Sequence, residues 1–188
     1  HEASGVAMRA QVGVGKGTVQ LSDFERADAI FVFGQNPGTN HPRMLGELRA
    51  AHKRGARIVS FNPLRERGLE RFQDPQDKRE MATLGATPIS THYFQLRIGG
   101  DLAAVKGLMK HVLEQEDARP GTVLDHAFIA AHTTGFDALA ADLRAERWDV
   151  LAAELGLTEA QLRSAGAVYL GAGSAIVCWG MGLTQHAH

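Results

Sequence analysis

One strand–helix–strand stretch constrains the fold of this sequence more than any other part of it. Residues 29–33 (AIFVF) and 57–61 (RIVSF) are short, apolar and rich in β-branched and aromatic side chains, as buried strands are. Between them, residues 42–54 carry apolar side chains at helical spacing, with Pro42 suited to the first turn and Gly55 to the position after the last. This order predicts a right-handed β-α-β unit whose two strands are parallel.

Further along the chain the sequence predicts a third strand, a long helical region and a last strand. Residues 91–98 (THYFQLRI) alternate like a strand, and residues 175–179 (AIVCW) are typical of another buried one. An amphipathic helix at 102–116 precedes a helical segment at 122–171. We therefore expect an α/β fold, a single Rossmann-like, doubly wound domain over residues 1–188. Its sheet would be mainly parallel with flanking helices, and the helical segment would precede the last strand.

Each predicted strand ends in a polar turn that contains Gly or Asn. The turns read GQNPGTN after the first strand, NPLRERG after the second, GGD after the third and GMGLTQ after the last. In a parallel sheet these turns share one edge, and ligands bind there. Glycine lets a backbone approach a ligand closely, Asn and Asp side chains pair with a heterocycle or a sugar, and helix N-termini favour phosphate. Four such turns predict a nucleotide-like ligand.

Composition narrows the classes of function. With 20 Lys and Arg against 21 Asp and Glu, the formal net charge of −1 gives no electrostatic reason to expect binding to nucleic acid or to an anionic membrane. No apolar run approaches the roughly 20 residues needed to span a bilayer. The single cysteine, Cys178, excludes an internal disulfide and any metal site built only from cysteines of this chain, and it fits a cytoplasmic location.

The sequence does not match the common nucleotide and metal motifs. The stretch GVGKGT at 13–18 fails as a phosphate-binding P-loop because Gly17 stands where the loop needs a hydroxyl. We interpret it as a flexible turn, with Lys16 kept as a candidate phosphate contact. The turn at Gly34 lacks the G-x-G-x-x-G pattern of ordinary dinucleotide sites. The nine histidines are scattered without zinc-binding spacing, so no metal ligand is predicted within the chain.

Four motifs together resemble the molybdopterin oxidoreductases. They are HEASG at 1–5, FGQNP at 33–37 followed by NHP at 40–42, NP at 62–63, and WGMGLTQ at 179–185. The likeness covers essentially the whole chain and is greatest to the formate dehydrogenase-like alpha subunits. The chain is similar to their internal Rossmann-like cofactor-binding region, so the N-terminal iron–sulfur part and the C-terminal domain are expected to lie outside it. A start at His1 rather than at Met agrees with a piece of a longer polypeptide.

The resemblance implies a cofactor, a reaction and partners. These enzymes carry molybdenum or tungsten on two molybdopterin guanine dinucleotides (bis-MGD), and this region would hold one of them. The whole enzyme would oxidise or reduce a small molecule by two electrons, with a 4Fe–4S cluster only in the missing N-terminal part. The partners would be the remaining domains of the same polypeptide, the small-molecule substrate and an electron acceptor. The isolated fragment is expected to be inactive.

The resemblance also implies which residues contact the dinucleotide. They fall on the four turns: Gly34, Gln35, Asn36, Thr39 and Asn40 on the first; Asn62, Pro63 and Leu64 near the guanosine; Gly99, Gly100 and Asp101 around the nucleoside; and Gly180, Met181, Gly182 and Gln185 nearer the pterin and the metal. His1 matches the proton acceptor that follows the metal-ligating cysteine or selenocysteine. A histidine titrates near neutral pH, which suits a general base.

One departure from the family leaves the function open. Formate dehydrogenases usually carry Asp, Pro and Arg on the second turn, where this chain has Asn62, Pro63 and Leu64. Losing the Asp removes a charged acceptor for a guanine edge, and losing the Arg removes a phosphate contact that Arg65 or Arg67 would have to replace. The alternative function is a non-redox nucleotide-binding or regulatory module. A third interpretation is the central domain of a thiamine diphosphate enzyme, which shares the architecture. The alternative interpretation of His1, and the one favoured for the isolated fragment, is a disordered terminal residue without a catalytic role.

Overall fold

A computed structural model describes residues 2–83 and 85–184 of the chain. The predictions made for His1 and Gln185 lie outside these ranges. The chain divides into two compact units: the first comprises the residues up to Gln95 and those from Ala172 onward, and the second is Leu96–Gly171. The single domain expected over residues 1–188 stays a prediction.

The described chain contains both helices and strands, and five consecutive helices precede the last strand. In order they are α1 (Glu2–Val12), a 3₁₀ helix (Leu21–Glu25), β1 (Ala29–Phe33), α2 (Pro37–Asn40), α3 (Pro42–Arg54), β2 (Arg57–Phe61), α4 (Arg67–Glu70), β3 (Arg71–Phe72), α5 (Lys78–Thr83), β4 (Thr87–Pro88), β5 (His92–Phe94), α6 (Asp101–Ala118), α7 (His126–His132), α8 (Phe136–Ala145), α9 (Trp148–Leu155), α10 (Glu159–Leu170), β6 (Ala175–Trp179) and α11 (Met181–Thr184). Four parallel strands form one sheet in the order β5-β2-β1-β6, and β3 and β4 form a short antiparallel pair. The predicted α/β fold, with a parallel sheet and flanking helices, is confirmed.

The predicted β-α-β unit is confirmed with its bounds unchanged. Leu45 and Leu48 of α3 lie in one buried core with Ile30 of β1 and Ile58 of β2. The helix ends at Gly55, whose φ of 98° is a left-handed conformation that glycine adopts without steric cost. This apolar contact fixes α3 against one face of the sheet, so the carboxyl ends of the strands have a rigid support.

The charged segment after β2 is held to α3 by one arginine. Arg49 binds three carboxylates: Asp74 at 3.1 Å, Asp77 at 2.5 Å and Glu80 at 2.7 Å. The pKa of Glu80 is lowered to about 2, chiefly because its carboxylate accepts the backbone N–H of Asp74 and also the Arg49 guanidinium. The segment therefore has a defined conformation, built from α4, β3, α5 and β4, although its sequence has no apolar periodicity.

Two predictions for local structure were wrong in extent. The strand expected over residues 91–98 is paired only over His92–Phe94. It stops there because the Arg97 backbone N–H donates instead to the Leu155 carbonyl at 2.8 Å. The turn expected at residues 180–182 is the start of the short helix α11.

The second unit is built from the helices α6 to α10. Trp148 lies among polar partners: its Nε1 donates to Glu114 Oε1 at 2.8 Å, and the Arg163 guanidinium stacks over its ring at 4.3 Å. Arg163 in turn donates to Glu114 Oε2 at 2.6 Å. These contacts join α6, α9 and α10 through one hydrogen-bonded group with a cation–π contact.

Candidate functional site

The order of the strands places a ligand crevice beside β1. β2 pairs with one edge of β1 and β6 with the other, so the direction of chain travel across the sheet reverses at β1. In open α/β sheets, ligands bind outside the carboxyl ends of the strands at such a reversal. Phe33 at the end of β1 pairs in register with Phe61 of β2 and Trp179 of β6. The three strands therefore end level with one another.

Glycines bring the backbones of β1 and β6 together at this edge. Gly34 donates its backbone N–H to the Phe61 carbonyl at 2.9 Å, and Gly180 donates to the Phe33 carbonyl at 3.0 Å. Gly34 has a φ of 55°, a conformation that side chains disfavour. A Cβ on Gly180 would lie 2.9 Å from the Gly34 carbonyl oxygen and 2.9 Å from Gln35 Cγ. A side chain is therefore disfavoured at Gly34 by its backbone conformation and at Gly180 by these close contacts.

A cavity of about 670 Å³ lies at the same edge of the first unit. Its size is within the range of about 300–1,000 Å³ that is typical of small-molecule and cofactor sites. It is lined by Ser4, Gly34, Gln35, Asn36, Asn40, His41, Asn62, Glu66, Trp179, Gly180, Met181 and Thr184. The lining combines three Asn side chains, one Gln and one carboxylate, so it can offer both donors and acceptors to a polar ligand.

Two of the three Asn side chains in the cavity donate hydrogen bonds to other lining residues. Asn62, which is 6% exposed, donates its Nδ2 to the Gln35 carbonyl at 2.9 Å. Asn36 donates its Nδ2 to Glu66 Oε2 at 2.6 Å and accepts the Thr39 backbone N–H on Oδ1 at 3.2 Å. The turn after β1 is therefore fixed from both sides before any ligand binds.

Gln35 presents an acceptor that the described protein leaves unused. Its Nε2 donates to the Trp179 carbonyl at 2.9 Å, which links the ends of β1 and β6. Its Oε1 is buried and has no hydrogen-bond partner among residues 2–83 and 85–184. An unsatisfied buried acceptor costs about 1–3 kcal/mol. A ligand N–H donor at this oxygen would remove that cost, so the atom is a reason to expect a ligand here.

Seven residues predicted from the sequence line the cavity together. They are Gly34, Gln35, Asn36, Asn40, Asn62, Gly180 and Met181. Thr39 acts through its backbone, since it is the residue that donates to Asn36. Gly182 lies within α11.

The remaining predicted residues are not among those that line the cavity. The Pro63 carbonyl accepts Gln95 Nε2 at 2.9 Å, and the Leu64 carbonyl accepts the Tyr93 hydroxyl at 2.7 Å. Both residues therefore stabilise the turn after β2. Gly99, Gly100 and Asp101 belong to the second unit, where Gly99 has a φ of 85° and α6 begins at Asp101.

The sequence interpretation missed five lining residues, namely Ser4, His41, Glu66, Trp179 and Thr184. Trp179 Nε1 donates to Ser4 Oγ at 3.0 Å, which joins α1 to the end of β6. Most of the five lie in the motifs on which the family resemblance rests, so those motifs could have been used to predict them. Glu66 lies outside those motifs, in the charged turn after β2, and nothing in its local sequence distinguishes it from its charged neighbours.

Cationic side chains are absent from the described lining of the cavity, although two arginines were expected to replace a phosphate contact. Arg65 instead pairs with Glu70 at 2.5 Å and stands over the Tyr93 ring at 5.1 Å. Arg67 is exposed at the start of α4, and Lys16 lies in the turn between α1 and the 3₁₀ helix. The described cavity therefore suits an uncharged part of a ligand better than its phosphates.

Neither a protein-only metal site nor a membrane span is found in the described part of the chain. Residues 2–83 and 85–184 hold no group of three or more His, Cys, Asp and Glu placed for a metal ion. Cys178 is partly buried, and burial raises the pKa of its thiol to about 11. Within the same residues, no helix combines the length and the apolar character needed to cross a membrane.

Comparison with known proteins relates the whole chain to one family. A family model described as molybdopterin oxidoreductase matches residues 6–188. Protein YdeP of Escherichia coli (strain K12) is 47% identical over 193 residues, which is 100% of this chain and 25% of that protein. Formate dehydrogenase H of the same strain is 26% identical over 185 residues, 98% of this chain and 22% of that protein. The chain thus spans about a quarter of the length of these curated relatives.

A solved structure has the same fold. Acetylene hydratase from Pelobacter acetylenicus superposes with a TM-score of 0.71 and 19% sequence identity, over 96% of this chain and 21% of that chain. At this identity the likeness concerns the fold alone.

Proposed function

The chain belongs to the molybdopterin oxidoreductase family, and we propose that it forms the part of a molybdenum- or tungsten-dependent oxidoreductase that binds one molybdopterin guanine dinucleotide. The observation that carries this proposal is the cavity at the level ends of β1, β2 and β6. It occupies the position where open α/β sheets bind nucleotide cofactors.

The chemistry of the cavity fits a polar ligand that carries a heterocycle. Asn36, Asn40 and Asn62 supply amide groups, and Gly180 lets the two strand ends approach so that backbone forms the wall. The Oε1 of Gln35 has no hydrogen-bond partner among the described residues, so a ligand N–H would satisfy it. These residues would bind and orient the dinucleotide, and the carboxyl ends of the strands would set where its rings lie.

The cofactor, when bound, supplies a metal that exchanges two electrons with a small molecule. In the whole enzyme this chain would orient that cofactor, and His1 would accept the proton released by the substrate. Similarity to formate dehydrogenase H makes formate the first substrate to assay. Other domains of the same polypeptide would complete the site, and an electron acceptor and a cytoplasmic location belong to the same proposal. Residues 1–188 alone are expected to show no turnover, because the chain spans only about a quarter of the length of its curated relatives.

The proposal is tested by the cofactor content of the full-length protein. We expect protein purified from cells that make the cofactor to contain molybdenum or tungsten by mass spectrometry and pterin by fluorescence after oxidation. Acid hydrolysis should release GMP in proportion to the metal. Full-length protein without metal, pterin and GMP would overturn the proposal.

A matched pair of variants tests the place of binding. Asn40 is exposed, lines the cavity and makes no side-chain hydrogen bond to a described residue. Under limiting cofactor supply, Asn40→Leu should lower the cofactor content, since a hydrogen bond contributes about 0.5–1.5 kcal/mol. Gln76→Leu makes a similar change at an exposed residue away from the cavity and should leave the content unchanged. Equal cofactor content in both variants would contradict binding at this cavity.

A further inference from the structure

We propose that Glu66 selects the heterocycle bound in this cavity, by accepting two adjacent N–H groups of a 2-amino-4-oxopyrimidine edge. Guanine and pterin share that edge, so the proposal names a chemistry common to both ends of the dinucleotide. It rests on the proposed function, and it assigns the selection to a residue outside the motifs that define the family.

The backbone around Glu66 is fixed by a strand of the sheet. Tyr93 of β5 accepts the Glu66 backbone N–H on its hydroxyl at 2.9 Å and donates that hydroxyl to the Leu64 carbonyl at 2.7 Å. Partial burial raises the pKa of Tyr93, so its hydroxyl stays protonated and able to donate. Glu66 also occupies the position just before the first residue of α4. The side chain therefore leaves a positioned backbone and is not part of a loose loop.

The carboxylate of Glu66 is only partly used by the described protein. Its Oε2 accepts Asn36 Nδ2 at 2.6 Å, whereas no hydrogen bond from a described residue reaches Oε1. No described Lys or Arg forms an ion pair with it, although its neighbour Glu70 pairs with Arg65 at 2.5 Å. A partly buried carboxylate that lines a cavity without a cation has spare capacity for donors from a ligand.

This arrangement discriminates among the parts of a dinucleotide. A phosphate would be repelled by the Glu66 carboxylate, because both groups are negatively charged and accept hydrogen bonds. The described lining has no cationic side chain to offset the repulsion. An adenine-type ring presents an acceptor where guanine and pterin present N–H, so one group would be left unpaired. The 2-amino-4-oxopyrimidine edge places two donors side by side, and a carboxylate can accept both in charge-assisted hydrogen bonds.

The test measures binding of ring fragments to cofactor-free full-length protein by titration calorimetry. The probes are guanosine, pterin and inosine, which lacks the amino group of guanosine. Glu66→Gln should weaken binding of guanosine or pterin about tenfold or more, because hydrogen bonds to a charged group are the strong ones. Wild-type protein should bind inosine more weakly than guanosine, and Glu66→Gln should change inosine binding much less.

Two further variants control for structure. Glu70→Gln removes a carboxylate four residues away that pairs with Arg65 and does not line the cavity, so it should bind all three probes like the wild type. Glu66→Asp keeps the charge and retracts it by one methylene, so it should bind more weakly than wild type but keep the preference for guanosine over inosine. This variant tests the proposal if Glu66→Gln does not fold.

The outcomes separate this inference from the proposed function. A loss confined to guanosine makes this the guanine end of the cavity, and a loss confined to pterin makes it the pterin end; both support the role of Glu66. If wild-type protein holds the metal and the pterin, but Glu66→Gln binds guanosine and pterin as tightly as the wild type, only the inference is overturned. If the wild type holds no cofactor, the proposed function itself fails.

Discussion

Replacing Gly180 by alanine should destabilise the protein by forcing two strand ends apart. The new Cβ would lie 2.9 Å from the carbonyl oxygen of Gly34 and 2.9 Å from Gln35 Cγ. Carbon–oxygen contacts between neighbouring strands are normally about 3.3–3.6 Å, so an opening of about 0.4 Å or more is needed. The Gly34 oxygen belongs to the backbone and cannot rotate away. Gly180 donates to Phe33 at 3.0 Å and Gly34 donates to Phe61 at 2.9 Å, and these two bonds resist the opening.

The cost of such overpacking is about 1–3 kcal/mol, and one kcal/mol shifts the unfolding midpoint of a protein this size by about 2–4 °C. We expect Gly180→Ala to lower the midpoint of thermal unfolding, followed by circular dichroism, by roughly 2–12 °C. Gly46 is the matched control: it is exposed within α3, and an added Cβ would meet nothing within 4 Å. Gly46→Ala should stabilise by about 0.5–1 kcal/mol. A Gly180→Ala protein as stable as its parent, or a loss in both variants, would refute the steric reasoning.

Three further predictions concern charge and reactivity. The pKa of Glu80 is lowered to about 2, so its contribution to stability is complete above its unfolded pKa of 4.5 and is lost as the pH falls towards about 2. Arg49→Met should therefore make the free energy of unfolding depend less on pH in this range. An unchanged pH dependence would contradict this role of Arg49. The pKa of Glu116 is likewise lowered to about 2, mainly by the hydrogen bond with His126 and next by the backbone N–H of Gly121. Glu116→Gln should make stability less sensitive to acid in the same pH window and should lower the free energy of unfolding at pH 7, measured by urea unfolding. Equal stability at pH 7 would show that these hydrogen bonds contribute nothing. Because burial raises the pKa of Cys178 from 9.0 to about 11, its thiolate fraction at pH 8 should be roughly a hundredfold lower in the folded than in the unfolded protein. Iodoacetamide should therefore alkylate the folded protein far more slowly than the urea-unfolded protein. Equal rates would refute the effect of burial.

The parts of the fold that follow from local sequence were predicted well. β1, β2, β6 and α3 have the bounds expected from short apolar runs and from helical spacing closed by Gly55. These elements are recognisable because each carries its own signal of period and termination. Local structure that depends on a contact between residues far apart in the chain could not be predicted from the sequence pattern. The segment pinned by Arg49 is one case, and the early end of β5 at Phe94 is another, since a carbonyl more than fifty residues away captures the Arg97 N–H.

The location of the candidate site could likewise be predicted from the sequence, whereas the positions of several of its side chains could not. Parallel strands bring their carboxyl ends to one edge whatever the loops do, so the turns at Gly34, Asn62 and Gly180 converge as the sequence predicts. The positions of individual side chains in those turns depend on long-range hydrogen bonds. Glu66 reaches the cavity because Tyr93, on another strand, holds its backbone N–H, and no spacing rule in the sequence relates the two residues.

The departure from the family at Asn62 is related to the presence of Glu66, because both residues line the same cavity. Asn62 uses its amide N–H to bind the Gln35 carbonyl at 2.9 Å, which an ionised aspartate could not do because it has only acceptors. An aspartate at this buried position would also add a second carboxylate to the lining that already contains Glu66, and two carboxylates that share a site raise the free energy of the doubly ionised state. The residue after β2 therefore serves to lock the turn after β1. Under the proposal made above for Glu66, the carboxylate that accepts the N–H groups of a guanine or pterin edge would be that of Glu66, and Asn62 would leave it as the one carboxylate of the described lining.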